Sequence, residues 1–317
     1  MDATLEHQLD RITCLAGQQR STTALTGGLT NQILRVTTTE HDLVVRISSP
    51  STGLLSIDRD VEEHNARAAA TAGVGPSVVE RIAEAGVLVV EFIRDAVTFD
   101  DAAVGANLAR IGATVRQLHD GPAFAGRFDM FDIQRRYLAI MRAHAWPLPE
   151  GYEDLLGYAN SMEAALRRAP EPLVPCHNDL LAANFLDDGQ RIWILDYEYS
   201  GMNEPAFELG NIIQEAHLGA EQLTELVTAY SGRPDPVREA RARLWGIESA
   251  YAWTLWGMIQ LGLAEIDYDF HGWAMDKYDR AREAFADPGF DDLVDAVGRA
   301  PTNAAGQSPE DAVGEGR

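Results

Sequence analysis

The chain has 317 residues, of which 46% are hydrophobic and 24% are charged, a composition typical of a globular protein with one large domain or two lobes around a cleft. Its formal net charge of −23 argues against nucleic acid and anionic membranes as partners, because binding to either requires a basic face. Lys277 is the only lysine, so a Walker-type phosphate loop is excluded and a Schiff-base lysine is not expected.

The sequence contains no recognisable targeting or membrane segment. The N-terminal stretch MDATLEHQLDR is acidic and lacks the apolar run of a signal peptide. Residues 250–266 are the most apolar long stretch, but they include polar side chains and fall short of the roughly 18–20 residues that a span requires, so they predict a buried helix. Cys14 and Cys176 provide neither a disulfide framework nor metal-ligand spacing. We therefore expect a cytoplasmic protein.

The first third of the chain is predicted to be a small, sheet-rich lobe. β-branched runs bounded by polar turn residues are typical of hairpins, and a helical stretch is terminated by Gly73. The loop LTGGLTN, residues 25–31, would lie at a turn between strands. In chain order the predicted elements are a lead-in helix over 1–18, strands over 33–39 and 43–48, a helix over 58–72, and strands over 78–82 and 86–93.

From about residue 100 the pattern becomes helical. Leu108, Ile111, Val115 and Leu118 recur at spacings of three and four, which predicts an amphipathic helix. Further helices are predicted over 151–168 and between 208 and 285, with a short strand over 191–195. The predicted fold class is α+β, with an N-terminal lobe over 1–93, a mainly helical C-terminal lobe over 94–299 and a disordered tail over 300–317.

Two polar segments, CHNDLLAANFL and ILDYEYSG, interrupt this helical region. They contain His177-x-Asp179, then Asn184, then Asp196 at the end of an apolar strand. Phosphoryl transfer needs a carboxylate that accepts the proton of an attacking hydroxyl, together with carboxylate and amide oxygens that hold Mg²⁺. Each residue alone could instead cap a turn or end a strand. The order, the spacing and the apolar surroundings together favour phosphoryl transfer.

These segments resemble the catalytic and metal-binding segments of the aminoglycoside phosphotransferase and choline kinase superfamily, relatives of protein kinases. The stretch DYEYSGMNEPAFELGNIIQE is most similar to choline/ethanolamine kinases, and DLLAANF to their bacterial branch. LTGGLTN, LVVRI and DRDVEEHN resemble the nucleotide lobe of the same family, so the resemblance covers roughly residues 22–285. It implies a protein kinase-like fold with two lobes, and ATP and Mg²⁺ as cofactors.

The resemblance also implies roles for the polar residues of the two segments. Asp179 corresponds to the catalytic base, and Asn184 and Asp196 correspond to the Mg²⁺ ligands. His177 is a second candidate catalytic residue, although a role in bracing the loop by hydrogen bonding is the favoured interpretation.

A nucleotide site is implied in the N-terminal lobe. Its candidate residues fall into three groups. Gly27, Gly28 and Asn31 would cover the phosphates, Arg46 would pair with Glu62 (Glu63 being the alternative), and the hinge from Glu91 to Ile93 would meet adenine. Arg46 takes the place of the usual strand lysine, and its guanidinium can grip phosphate through two parallel hydrogen bonds.

The acceptor is predicted from aromatic and acidic residues. Trp253 and Trp256 are one helical turn apart and Trp273 follows, a pattern that either packs a helix or holds a quaternary ammonium group by cation–π attraction. By resemblance, Glu198 and Glu215 belong to the acceptor site. Glu208 stands where the family usually has Asp, and Leu181 replaces a polar residue of the animal enzymes. Both departures bear on the choice of acceptor.

The favoured prediction is an ATP-dependent kinase that phosphorylates a small cationic alcohol, with choline as the first choice. Ethanolamine, thiamine or an aminoglycoside would keep the same chemistry. A pseudokinase that only binds nucleotide, and a transferase that moves a nucleotide, are the alternatives from other classes. Neither nucleic acid nor a membrane is expected as a partner, and the sequence leaves monomer and homodimer open.

Overall fold

The structure is a computed structural model that describes residues 3–25, 31–48, 54–55, 57–263 and 266–299. The predicted tail over 300–317 and the loop glycines Gly27 and Gly28 lie outside these residues.

A five-stranded antiparallel sheet forms the first part of the chain, in the order β1-β2-β3-β5-β4. Alternation along β3 sends Leu43 and Val45 to the buried face. Leu9, Ile12 and Leu15 cover that face and close a small core. The five strands are β1 (Ser21–Ala24), β2 (Asn31–Thr37), β3 (Asp42–Ser48), β4 (Val78–Ile82) and β5 (Val87–Glu91).

The lead-in helix is shorter than predicted. Helix α1 (Ala3–Leu9) ends where the expected helix over 1–18 would have continued, and the chain then runs through turns to Gly17, whose φ is +67°. Apolar side chains every three residues satisfy a 3.6-residue pattern, but they also suit tight turns that lie flat on a sheet. The predicted helix was therefore wrong in length, although Leu9, Ile12 and Leu15 are buried.

Helix α2 (Arg59–Thr71) joins the sheet to the rest of the molecule. Asp58 caps it by accepting the N–H groups of Asp60 and Val61. The small buried side chains Ala66 and Ala69 pack into a second, larger core, which is separate from the core of the sheet. The helix thus lies between the two cores, where its N-terminal residues can reach both sides of the cleft.

The larger core is built mainly from helices. The longest, α9, is buried on nearly every side from Leu244 to Gln260 and packs against α5, α7 and α10. Among the described helices, none combines the length and apolarity needed to cross a membrane. The helices after α2 are α3 (Asp101–Ala106), α4 (Leu108–His119), α5 (Met130–Ala143), α6 (Leu156–Arg168), α7 (Pro205–Glu215), α8 (Ala220–Ser231), α9 (Pro236–Leu263), α10 (Phe270–Ala286) and α11 (Phe290–Arg299).

Five short strands hold the two polar segments at the edge of this helical region. β7 (Val174–Cys176) pairs with β10 (Gly201–Asn203), and β8 (Phe185–Asp187) pairs with both β6 (Val97–Thr98) and β9 (Ile192–Ile194). The HNDLLAAN segment connects β7 to β8, and the DYEYS segment connects β9 to β10. The pairings therefore bring both segments to the same place.

One buried carboxylic acid lies outside the site and affects stability. Glu248 on α9 is completely buried, and neither carboxyl oxygen has a hydrogen-bond partner among the described residues. Burial, together with the charge of Glu163, raises the pKa of Glu248 well above its ordinary value. When pH rises above the unfolded-state pKa of such a carboxyl, the unfolded state releases the proton but the folded state keeps it. The free energy of unfolding therefore falls as pH rises.

We expect Glu248→Met to raise the free energy of unfolding at pH 8 by about 1–3 kcal/mol, and by less at pH 5. Methionine keeps the unbranched shape and removes the unsatisfied oxygens. Urea unfolding at the two pH values measures the difference from the wild-type protein. The same substitution at the exposed Glu225 is the control, with an expected change within about 0.5 kcal/mol. A loss of stability in Glu248→Met at both pH values would contradict the prediction.

Candidate active site

Helix α7 anchors the loop that carries Asp179. The two carboxylate oxygens of Glu208 accept the backbone N–H groups of His177 and Asn178, each at 2.8 Å. One turn along, the Asn211 side-chain oxygen accepts the N–H of Leu180 at 2.9 Å. Burial alone would raise the pKa of Glu208, but these N–H groups and His119 outweigh it, so the pKa lies below its ordinary value. Glu208 thus anchors the loop from a position where the family that the sequence resembles usually has aspartate.

The His177 ring is fully occupied by the backbone. Its Nε2 lies 2.7 Å from the carbonyl oxygen of Leu195, and its Nδ1 accepts the N–H of Asp179 at 3.3 Å. Burial lowers the pKa of the imidazole, which favours the neutral ring that these two contacts require. The contacts are those of a brace between the two polar segments, and they leave no ring nitrogen for a substrate.

The Asp179 carboxylate, in contrast, is held in place only through its main chain. Its carbonyl accepts the side-chain N–H of Asn184 at 2.8 Å, while within the described part of the chain no group donates a hydrogen bond to its carboxylate. Burial, followed by the charges of Glu215, Glu198 and Asp196, raises the pKa of Asp179 well above its ordinary value, and Lys277 opposes the shift. A carboxylate without partners and with a raised pKa suits proton transfer.

Asn184 and Asp196 lie side by side because the N–H of Leu195 donates to the carbonyl of Asn184 at 2.9 Å. The Asn184 amide N–H is used by Asp179, which leaves its oxygen as a donor atom for a metal. Asp196 has a φ of +66°, a left-handed conformation that is uncommon for non-glycine residues, and 35% of its side chain is exposed. One amide oxygen and one accessible carboxylate form a set that fits Mg²⁺.

Across the cleft, Arg46 on β3 and Glu62 on α2 form a buried ion pair. Both terminal nitrogens of Arg46 contact the Glu62 carboxylate, one of them at 2.8 Å to Oε2. The Arg46 Nη1 also lies 3.4 Å from Asp196 Oδ1. The alternative partner, Glu63, instead pairs with Arg67 and Arg81 at the surface.

A second arginine extends this network to the acidic residue of the DYEYS segment. The Arg59 Nη1 lies 2.8 Å from Glu62 and 3.1 Å from Glu198. Asn31 donates to Glu198 at 3.2 Å and accepts from Arg59 at 3.1 Å. Burial and the neighbouring Asp196 raise the pKa of Glu198 to about 7. Glu198, predicted at the acceptor site, thus also ties that site to the sheet.

The predicted hinge connects β5 to the helical region. Glu91 ends β5, and the N–H of Phe92 donates to the carbonyl of Asp42 on β3. Outside the regular strands, the backbone hydrogen bonds of the described residues include none from the N–H of Ile93, which is therefore free to meet a ligand.

The aromatic residues form one continuous cluster. Trp253 packs edge-on against Tyr199 with ring centroids 4.9 Å apart, and Trp256 donates its indole N–H to the Tyr199 hydroxyl at 2.8 Å. Trp256 also packs against Trp273, with centroids 5.1 Å apart. The indole N–H of Trp253 is buried and has no hydrogen-bond partner among the described residues.

A cavity of about 360 Å³ opens beside this cluster. It lies between the N-terminal end of α2 and helix α5, and its lining includes Tyr199 and Phe128 as well as acidic and basic residues. The charged lining residues are Asp58, Asp129, Asp132, Glu198, Arg127 and Arg136. Four carboxyl groups against two guanidinium groups give this opening an acidic character.

Glu215 ends α7 next to the aromatic cluster, and it is already paired. The ammonium of Lys277 contacts its two carboxylate oxygens at 2.6 and 2.7 Å, and lies 4.4 Å from the centroid of the Trp273 ring. Both residues of the pair are buried.

Comparison with known proteins points to the same family as the sequence motifs do. The family model for choline/ethanolamine kinase matches residues 22–230. The chain belongs to the choline/ethanolamine kinase family. It is accordingly a kinase that transfers phosphate to an alcohol group of a small molecule, and its fold is the kinase-like α+β fold of that family.

Three relatives illustrate the range of this family. A choline/ethanolamine kinase family protein from Mesorhizobium loti is 35% identical, with 93% of this chain and 98% of that chain covered and a TM-score of 0.82. The choline kinase LicA from Streptococcus pneumoniae is 25% identical, with coverages of 84% and 93% and a TM-score of 0.73. Ethanolamine kinase 1 from Homo sapiens is 24% identical over 80% of this chain and 65% of its own length.

Sequence reasoning missed three residues that the structure brings to the candidate site. Tyr199 was available from the DYEYS segment but was not selected, although its ring is at the centre of the aromatic cluster. Arg59 was not selected, because its contacts to Glu198 and Asn31 depend on the tertiary fold. Lys277 attracted notice only as the single lysine, whereas its position one helical turn after Trp273 could have suggested a place near the acceptor.

Proposed function

We propose that this kinase uses Mg·ATP to phosphorylate the hydroxyl group of choline. The observation that carries the proposal is the Asp179 carboxylate, which lies in a pair of loops that hydrogen bonds join to Asn184 and, through Leu195, to Asp196, and which accepts no hydrogen bond from the described residues. A hydroxyl placed against that carboxylate would be oriented for in-line attack on a terminal phosphate.

Asp179 would orient the acceptor hydroxyl and receive its proton as the new phosphate ester forms. The raised pKa of Asp179 makes its carboxylate a better proton acceptor than an exposed aspartate. His177 and Glu208 would hold the loop so that this carboxylate keeps its direction. Asn184 and Asp196 would hold Mg²⁺, which when bound neutralises the charge of the nucleotide phosphates.

On the nucleotide side, Arg46 would grip the phosphates and Glu62 would hold the guanidinium in place. The free N–H of Ile93 would meet the adenine edge, beside Glu91 at the hinge. The loop glycines Gly27 and Gly28, together with Asn31, would cover the phosphates. These roles follow the family resemblance, and the contacts of Arg46 and Asn31 at the mouth of the cleft support them.

On the acceptor side, the aromatic cluster supports choline. A trimethylammonium group has no N–H to donate and is held by aromatic rings. Tyr199 lines the cavity and packs against Trp253, and Trp253 and Trp256 lie buried behind it. The acidic opening beside Tyr199 would attract a cation. The LicA relative from Streptococcus pneumoniae is a choline kinase. Ethanolamine is the second candidate, which the human relative favours.

An assay of a panel of amino alcohols with Mg·ATP, in which ADP release is measured, tests the proposal. We expect choline to be turned over with the highest kcat/KM. The variant Trp256→Leu should lower kcat/KM for choline about tenfold or more relative to ethanolamine, because it removes a cation–π face.

The control for this variant is Trp245→Leu, in the same helix and also buried, but hydrogen-bonded to Glu204 away from the cluster. It should lose stability without changing the ratio of the two acceptors. ADP release that does not increase with any amino alcohol in the panel would reject the proposed acceptor class.

A further inference from the structure

The only lysine of the chain lies in an unusual place. Lys277 is buried on α10, and its ammonium is shared between the Glu215 carboxylate, at 2.6 and 2.7 Å, and the ring of Trp273, at 4.4 Å from the centroid. A carboxylate and an indole face are the two groups that recognise an ammonium ion. Lys277 therefore occupies an ammonium site with a side chain of the protein itself.

This pair lies next to the proposed acceptor. Glu215 is one helical turn beyond Asn211, which holds Leu180 beside Asp179. Trp273 contacts Trp256, whose indole N–H reaches Tyr199. Both charges of the pair also act on the Asp179 carboxyl, in opposite directions. An ammonium group of the acceptor would thus approach a Glu215 that is already neutralised.

We propose that Lys277 determines the acceptor preference, by occupying Glu215 and one face of Trp273 so that the kinase favours quaternary over primary ammonium alcohols. The inference rests on the proposed function. A primary ammonium has three N–H groups, and leaving them without acceptors in a buried pocket is costly. A quaternary ammonium has none and needs only aromatic contact, which Tyr199 at the cavity, with Trp253 packed against it, would provide.

The wild-type enzyme provides the first test. Ethanolamine, its N-methyl and N,N-dimethyl derivatives and choline differ only in how many N–H groups remain. We expect kcat/KM to rise with each methyl group added. A wild-type enzyme that prefers ethanolamine over choline would overturn the inference while leaving the kinase assignment intact.

The variant Lys277→Met provides the second test. Methionine is unbranched and similar in length, so it can still pack on Trp273 while it frees the Glu215 carboxylate. We expect the ratio of kcat/KM for ethanolamine to that for choline to rise about 10- to 100-fold, as expected for one charge-assisted hydrogen bond gained by the primary ammonium.

Two further variants separate specificity from folding. Lys277→Met combined with Glu215→Gln removes both charges, leaves no buried unpaired carboxylate, and should return the acceptor ratio towards the wild-type value. Arg282→Met removes an exposed cation from the same helix and should leave the ratio unchanged. A ratio unaltered in folded Lys277→Met, with choline still phosphorylated, would reject the inference alone. Failure of all amino alcohols with the wild-type enzyme would reject the proposed function instead.

Discussion

Replacing Asp179 by Asn is expected to lower kcat for phosphoryl transfer by about 10²–10⁴-fold, without loss of the fold or of nucleotide binding. Asn has the same shape and can still contact the acceptor hydroxyl, but it cannot take the proton. The loop that carries residue 179 is held through main-chain groups by Glu208, Asn211 and Asn184, and none of these contacts uses the carboxylate.

The same substitution is expected to raise the free energy of unfolding near neutral pH. Burial and the charges of Glu215, Glu198 and Asp196 raise the folded-state pKa of Asp179, so stability is lost as pH rises above the unfolded-state pKa. An uncharged Asn removes that loss. Stability and activity therefore change in opposite directions, which is typical of a group placed for chemistry rather than for folding.

Steady-state kinetics and urea unfolding at pH 7 measure the two effects. Asp188→Asn, in the following turn, is the matched control. Hydrogen bonds, first from the Trp193 side chain and then from the Arg191 N–H, lower the pKa of Asp188, so this variant should lose a little stability and keep its kcat. Turnover near the wild-type rate in Asp179→Asn would refute the catalytic assignment.

The spacing of apolar residues along the chain predicted many of the strands and helices, because burial of nearby apolar side chains decides where such elements form. The amphipathic helix from Leu108 appears at the predicted position because it buries one apolar face. The strand over 78–82 also appears as predicted, although Ile82 is its only buried residue. Strand β1 was missed because its residues, Ser21–Ala24, are mostly polar and mostly exposed, and it forms only because β2 offers a free edge. Propensity along the chain carries no information about such an edge.

The candidate site was predicted to the extent that its residues are close in sequence. Asp179, Asn184 and Asp196 lie within one motif, and the short strands on either side bring them together. Ion pairs between residues that are far apart in sequence could not be predicted. The chain has many carboxylates, and charge alone does not determine which of them a given cation contacts. The Lys277–Glu215 contact joins residues 62 positions apart. It follows from the packing of α10 on α9 and the position of α7 against α9.

The buried Arg46–Glu62 pair is expected to respond strongly to substitution. Arg46→Met should lower the free energy of unfolding by about 3–5 kcal/mol, because it leaves a buried carboxylate with only Arg59 as a partner. It should also weaken Mg·ATP binding, measured as loss of the thermal shift that the nucleotide produces.

Arg46→Lys tests geometry separately from charge. Lysine keeps the cation but cannot contact both Glu62 oxygens and phosphate at once, as the planar guanidinium can. We expect its unfolding free energy to fall between those of the wild-type protein and Arg46→Met, with nucleotide affinity reduced as well. Unchanged nucleotide affinity in both variants would exclude Arg46 from the phosphate site.

The two neighbouring glutamates of α2 provide a matched comparison. Although burial opposes it, Arg46 and Arg59 lower the pKa of Glu62, so the stability this carboxylate contributes is present above its unfolded-state pKa and is lost as pH falls. Glu62→Gln should therefore be strongly destabilising at pH 7 and progressively less so as pH falls below the unfolded-state pKa of the carboxyl. Glu63 pairs with arginines at the surface, and Glu63→Gln should change the free energy of unfolding by about 1 kcal/mol or less. Equal effects of the two substitutions would show that burial of the Arg46–Glu62 pair does not control its energy.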